Sequence, residues 1–142
     1  MMDRSQIEKM IPHRAPFLFL DRVEELEPGV RCVARMLLDP ENAIFAGHFP
    51  GRPVLPGVLI MEAVAQTAAV MMASTVPEGA IGNALLASVN RFKFLKPVAP
   101  GQEVRIVTTK LTGMGSMFYI EGTVFADGVT VASGELSLVC SK

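Results

Sequence analysis

The chain has 142 residues, half of them hydrophobic and 19% charged, which is enough for one domain with a sizeable core and excludes a disordered tail. Thirteen Lys and Arg against fourteen Asp and Glu leave a net charge of -1, which argues against a nucleic-acid module, whose affinity rests on a basic face. Cys32 and Cys140 lack metal-ligand spacing and are too few for a disulfide framework, and Asp, Gln and Glu stand where a signal peptide needs an apolar run, so a reducing, cytoplasmic setting is expected.

Near the start, Ser5 and Glu8 have capping-box spacing, and Pro12 stops what must be a short helix at about 5–11. Residues 17–23 are apolar and read as a strand; Pro28-Gly29 then turns the chain, and residues 30–38 read as the hairpin partner. Pro, Gly, Asn and His crowd 39–53, which suits an ordered loop. A long helix is expected from Pro56 to Ser74, proline being tolerated in a first turn where its missing N–H has no intrahelical partner. The apolar run 54–73 imitates a membrane span, but Glu62, Gln66 and Thr67 lie at its middle, where an ionised carboxylate would cost about 2.5 kcal/mol or more. A helix buried in protein fits better.

Beyond Gly79 the character is β: residues 83–94, 103–112, 117–126 and 130–139 carry β-branched and aromatic residues between turn signals. Asp127-Gly128 suits a two-residue hairpin, because both residue types tolerate positive φ. With no internal repeat or linker, the chain reads as one α+β domain, an antiparallel sheet against one helix. A helix apolar nearly all round needs cover on several sides, so the sheet must curl around it and a second copy of the chain would supply the rest.

Three residues suggest chemistry. His48 sits in Gly47-His48-Phe49-Pro50-Gly51, where the glycines allow a sharp turn and Phe49 and Pro50 make a dry, stiff setting. Its unperturbed pKa of ~6.5 suits a proton acceptor, although a loop histidine bonded to a carbonyl is the commoner arrangement. Glu62 lies among Ile60, Met61, Ala63 and Val64. In an apolar pocket a carboxyl rises from its ~4.3 reference and keeps a proton to donate; a solvent-facing Glu is the alternative. Gln66, one turn on, is placed to hold that carboxyl. Gly57 offers an unpaired N–H at the helix start and lets a ligand oxygen come close, against the plainer reading of a Pro-Gly helix entry. Base, acid and N–H together suit elimination of a β-hydroxyl from a carbonyl compound, with no metal or redox cofactor.

The run GHFPGRPVLPGVLIMEAVAQ at 47–66 resembles the signature of the FabZ-type 3-hydroxyacyl-[acyl-carrier-protein] dehydratases, which adopt the hotdog fold. IPHRAPFLFLDRV at 11–23 is similar to that family's N-terminal segment, and FLKPVAPGQ at 94–102 to its strand and turn after the helix. The resemblance implies a long central helix wrapped by a curved antiparallel sheet, in a homodimer that often assembles into a trimer of dimers. It implies His48 as base and Glu62 as acid, drawn from opposite subunits, with the Gly57 amide on the thioester carbonyl. Gln66, Phe49 and Val58 are the further substrate contacts expected beside them. The implied reaction converts (3R)-3-hydroxyacyl-[acyl-carrier-protein] to the trans-2-enoyl product in fatty acid biosynthesis, without a cofactor.

The similar FabA-type dehydratase/isomerases place Asp where this chain has Glu62, so glutamate favours simple dehydration. Asn90, Phe92 and the run LTGMGSM at 111–117 depart from the family pattern and bear on chain length and pathway, a polyene or polyketide route included. Met61, Met71, Met72, Met114 and Met117 are candidates to line an acyl tunnel or simply to fill the core. Arg14, Arg52, Arg91, Lys93 and Lys96 form either a basic rim that steers acidic acyl carrier protein or scattered solvated charges. An acyl-thioester hydrolase and a non-catalytic acyl-binding module remain as the other readings of the same fold.

Overall fold

A computed structural model describes residues 1–141. The first helix, α1 (Arg4–Met10), starts earlier than the Ser5–Glu8 spacing suggests. Asp3 is its N-cap: the Asp3 carboxylate accepts from the Gln6 N–H, and the Gln6 side chain accepts from the Asp3 N–H, each at 2.9 Å. A carboxylate at a helix start is favoured by both capping and the helix dipole, so Asp3 takes the cap, and the Ser5 hydroxyl donates to it.

The expected strand at 17–23 is corrected. Strand β1 runs over Arg22–Glu27 and pairs with β2 (Arg31–Leu37). Asp21 N–H already donates to Arg35 O of β2 at 2.9 Å, but residues 17–20 stay out of the sheet, where a buried side chain takes two of their backbone groups: Phe17 O accepts from Gln66 Nε2 at 2.8 Å, and Phe19 N–H donates to Gln66 Oε1 at 2.9 Å. The loop at 39–53 holds one short helix, α2 (Ala43–Gly47), capped by Asn42.

The long helix α3 spans Gly57–Ala73. Strands β3 (Asn83–Phe94), β4 (Glu103–Met114), β5 (Met117–Ala126) and β6 (Val129–Ser141) follow. Strands β4 and β6 run past their expected ends because pairing continues, as at Met114 with Met117 and Ala84 with Cys140. Asp127 and Gly128 both have positive φ, 49° and 81°, as a tight hairpin requires. All pairs are antiparallel, in the order β1-β2-β4-β5-β6-β3.

The sheet curves around α3, which touches β2, β3, β4, β5 and β6. Ala63, Ala68 and Ala69 let the helix approach closely, and Val64, Val70 and Met71 interleave with Ile106, Ile120, Val124, Leu136 and Leu138 in a continuous core. None of the described helices is long and apolar enough to cross a membrane. The helix and sheet meet closely at Gly122, where a Cβ would sit 2.4 Å from Val64 Cγ1. Gly122→Ala is expected to destabilise the fold by about 1–3 kcal/mol through overpacking. An unchanged denaturant midpoint would show that the helix and sheet have slack there.

Strand β3 closes one edge of the sheet. Leu85, Leu86, Val89 and Phe94 are exposed on it, and Leu95 just beyond. An exposed, long, apolar edge is unusual, because it offers unpaired N–H and C=O groups to another chain.

Candidate active site

His48 caps the C-terminal end of α2 and is half-buried. Its loop closes on itself: Val54 N–H donates to His48 O at 2.8 Å, and Phe49 and Arg52 exchange backbone hydrogen bonds at 3.0 and 2.9 Å. The ring stacks on Phe49 with centroids 4.0 Å apart. His48 Nδ1 lies 2.8 Å from Val54 O, and a carbonyl only accepts. Nδ1 therefore carries a proton, and in the neutral tautomer Nε2 holds the lone pair. The commoner reading, a histidine bonded to a carbonyl, is what the structure shows, and that bond leaves the Nε2 edge of the ring unengaged.

Gly57 opens α3 after Pro56, which makes no side-chain cap. Leu59 and Ile60 N–H donate back to Pro56 O at 3.0 and 3.2 Å, while the N–H groups of the first two helical residues have no partner within the helix. Phe94 covers this end; a Cβ on Gly57 would lie 3.0 Å from the Phe94 ring. His48 and Gly57 wall one cavity of about 340 Å³, together with Ile60, Phe94, Lys96 and Val98 among others.

Glu62 stands elsewhere. Five residues beyond Gly57 is about 140° further round the helix, so its side chain leaves a different face. Its Oε2 accepts from Gln66 Nε2 at 2.9 Å and lies 3.6 Å from His13 Nε2. The carboxyl is not sealed in an apolar pocket as the sequence suggests: its side chain is 23% exposed and has two polar neighbours. Gln66 is fully buried, and with Phe17 and Phe19 it also makes the hydrogen bonds described above, so it holds the carboxyl as expected. Among the described residues no hydrogen bond or ion pair joins His48 to Glu62, and Glu62 does not wall the His48 cavity.

Phe49 and Val58, expected beside the substrate, are 53% and 66% exposed and lie outside that cavity wall. Met71 is core filling and Met114 is on the surface, whereas Met72 and Met117 share a second cavity of about 370 Å³ with Phe118 and Cys140. Of the basic residues, Lys96 is in the His48 cavity wall, and Arg14 turns back on its own segment to donate to Ile11 O and His13 O. Burial pushes the Cys32 thiol up to about 12 and raises Cys140 as well, so neither is a ready nucleophile. The residue that sequence reasoning missed is His13. Its signal was present in IPHRAPF, but only the fold brings that segment against α3.

One apolar helix wrapped by an antiparallel sheet, with a histidine set beside the helix start, defines the class: a hotdog fold. A model of the FabA-like domain matches residues 11–135, and the chain belongs to the FabA-like family, in its FabZ branch. The 3-hydroxyacyl-[acyl-carrier-protein] dehydratase FabZ of Geotalea uraniireducens is 41% identical over 95% of this chain and 94% of its own. The protein of the same name from Ligilactobacillus salivarius is 40% identical over 98% and 99%. Among solved structures, a chain of the dehydratase heterocomplex ApeI:P from Xenorhabdus doucetiae superposes with a TM-score of 0.80 over 96% of this chain and 91% of its own, at 17% identity. A thioesterase superfamily member from Thermus thermophilus, TTHA0967, gives 0.65 at 18% identity over 83% and 85%, so the fold alone does not choose the reaction.

Proposed function

We propose that the chain is a 3-hydroxyacyl-[acyl-carrier-protein] dehydratase of fatty acid biosynthesis. The observation that carries the chemistry is the His48–Val54 bond, which fixes the tautomer with Nε2 as proton acceptor beside the unpaired amides of the α3 start. The thioester carbonyl docks at the Gly57 N–H, where the helix dipole and amide stabilise negative charge on oxygen as His48 Nε2 takes the α-proton. The electron pair left on that carbon forms the double bond, the β C–O bond breaks, and Glu62 protonates the departing hydroxyl so that water leaves. Atoms balance with no cofactor.

The reading requires a second copy. Within one chain the acid and the base occupy different places, and β3 presents a 12-residue edge with Leu85, Leu86, Val89 and Phe94 exposed that a second β3 would complete. A homodimer built there brings the base of one copy to the acid of the other and covers Phe49 and Val58; a trimer of dimers is the further assembly. Acyl carrier protein is the partner, its acidic surface meeting Lys96 in the cavity wall and the exposed Arg52 and Lys93 elsewhere on the surface, in the cytoplasm.

Incubation with a (3R)-3-hydroxyacyl thioester is expected to produce enoyl absorbance without free thiol. Thiol release without enoyl product would select the hydrolase instead, and binding without turnover the acyl-binding module.

A further inference from the structure

Besides Gln66, the polar side chain set against Glu62 is His13, which the elimination above leaves unused. Its side chain is 18% exposed, and its Nδ1 is buried with no hydrogen-bond partner. Its Nε2 faces Glu62 Oε2 at 3.6 Å. Arg14 donates to the carbonyls of Ile11 and His13 and so pins the backbone on both sides of the ring. The facing partner is equally fixed, because Gln66 is anchored to Phe17 and Phe19 and donates to the same Oε2.

Gln66 Nε2 donates to Oε2 and His13 Nε2 approaches the same oxygen, while Oε1 makes no hydrogen bond among the described residues. We propose that His13 is a positioning residue for Glu62: in its neutral Nε2–H form it holds the Oε2 side of the carboxyl, so that Oε1 carries the proton delivered to the leaving hydroxyl. The gap of 3.6 Å is too long for a hydrogen bond, and a shift of roughly 0.6 Å closes it.

Protonation state supports the geometry. Burial pushes the His13 imidazole below its ordinary value, against the opposing pull of Glu62, and Arg14 pushes the same way as burial. A cationic imidazole would hold Glu62 ionised and remove the acid; a neutral one does not. The buried, partnerless Nδ1 fits an unprotonated nitrogen better than a stranded N–H, because a lone pair without a donor costs less than a buried donor without an acceptor.

The inference rests on the dehydratase reading, and the test separates the two. Gln places an amide nitrogen where His has Nε2, whereas Asn places it where His has Nδ1. His13→Ala and His13→Asn are expected to lower kcat about 10-fold with KM within about twofold, and His13→Gln to recover most of the loss. If His13→Gln is no better than His13→Asn, if KM moves instead of kcat, or if all three match the parent, the proposal is wrong while the dehydratase reading stands. A parent chain that makes no enoyl product refutes both. Nitrogen-15 NMR of the ring-labelled parent provides a readout independent of turnover and of variant folding: the Nε2–H tautomer is expected, and an Nδ1–H or cationic ring at neutral pH overturns the proposal.

Discussion

His48→Ala is expected to lower kcat for dehydration by about 10²–10⁴-fold, the range that a positioned general base supplies. The loop should survive, because three backbone hydrogen bonds close it without the ring: Val54 to His48, and the Phe49–Arg52 pair in both directions. What goes with the imidazole is the Nδ1–H bond to Val54 O. Its net worth is about 1 kcal/mol, visible as a small fall in Tm. His48→Asn separates stability from chemistry, since its amide donates from the position of Nδ1 and supplies no base at the position of Nε2. It should recover the stability and none of the turnover, as followed by enoyl absorbance and thermal melts. Near-normal turnover by His48→Asn would make His48 a loop fastener and nothing more.

How much of this was legible in the sequence depended on how local each signal was. Strands β3 and β5 have the bounds that their alternation and flanking turns suggest, and Asp127-Gly128 adopts the positive φ values its residue types allow. The segment at 17–21 misled because its apolar character is genuine: Leu18 and Leu20 are buried. What holds Phe17 and Phe19 away from the sheet is the amide of Gln66, more than forty residues away, and no window of sequence contains both ends of that bond. The same non-locality hid His13, which becomes a neighbour of Glu62 only when the N-terminal segment folds across α3. His48, Gly57 and Gln66 were readable because glycine flanks, a helix start and a one-turn spacing are local features; the Val54 carbonyl that sets the His48 tautomer was not.

Glu62→Gln is the second large effect, about 10²–10⁴-fold in kcat, since the amide has no acidic proton to give to the leaving hydroxyl. It is also the mildest possible change to packing: Gln has the shape of Glu, and its carbonyl oxygen can still accept from Gln66 Nε2. Fold and self-association should therefore match the parent, so the loss is chemical. The pairing of the two variants says more than either alone. In a dimer whose sites each take His48 from one copy and Glu62 from the other, a mixed dimer of His48→Ala with Glu62→Gln has one site missing both groups and one site whole. Random exchange of two dead proteins is then expected to restore about a quarter of parental activity, because half the dimers are mixed and each has one working site of two. Differently tagged copies that co-purify after exchange would prove that mixing occurred. Co-purified mixed dimers with no activity would place base and acid within a single chain, or outside a common site altogether, and would refute the shared-site dimer.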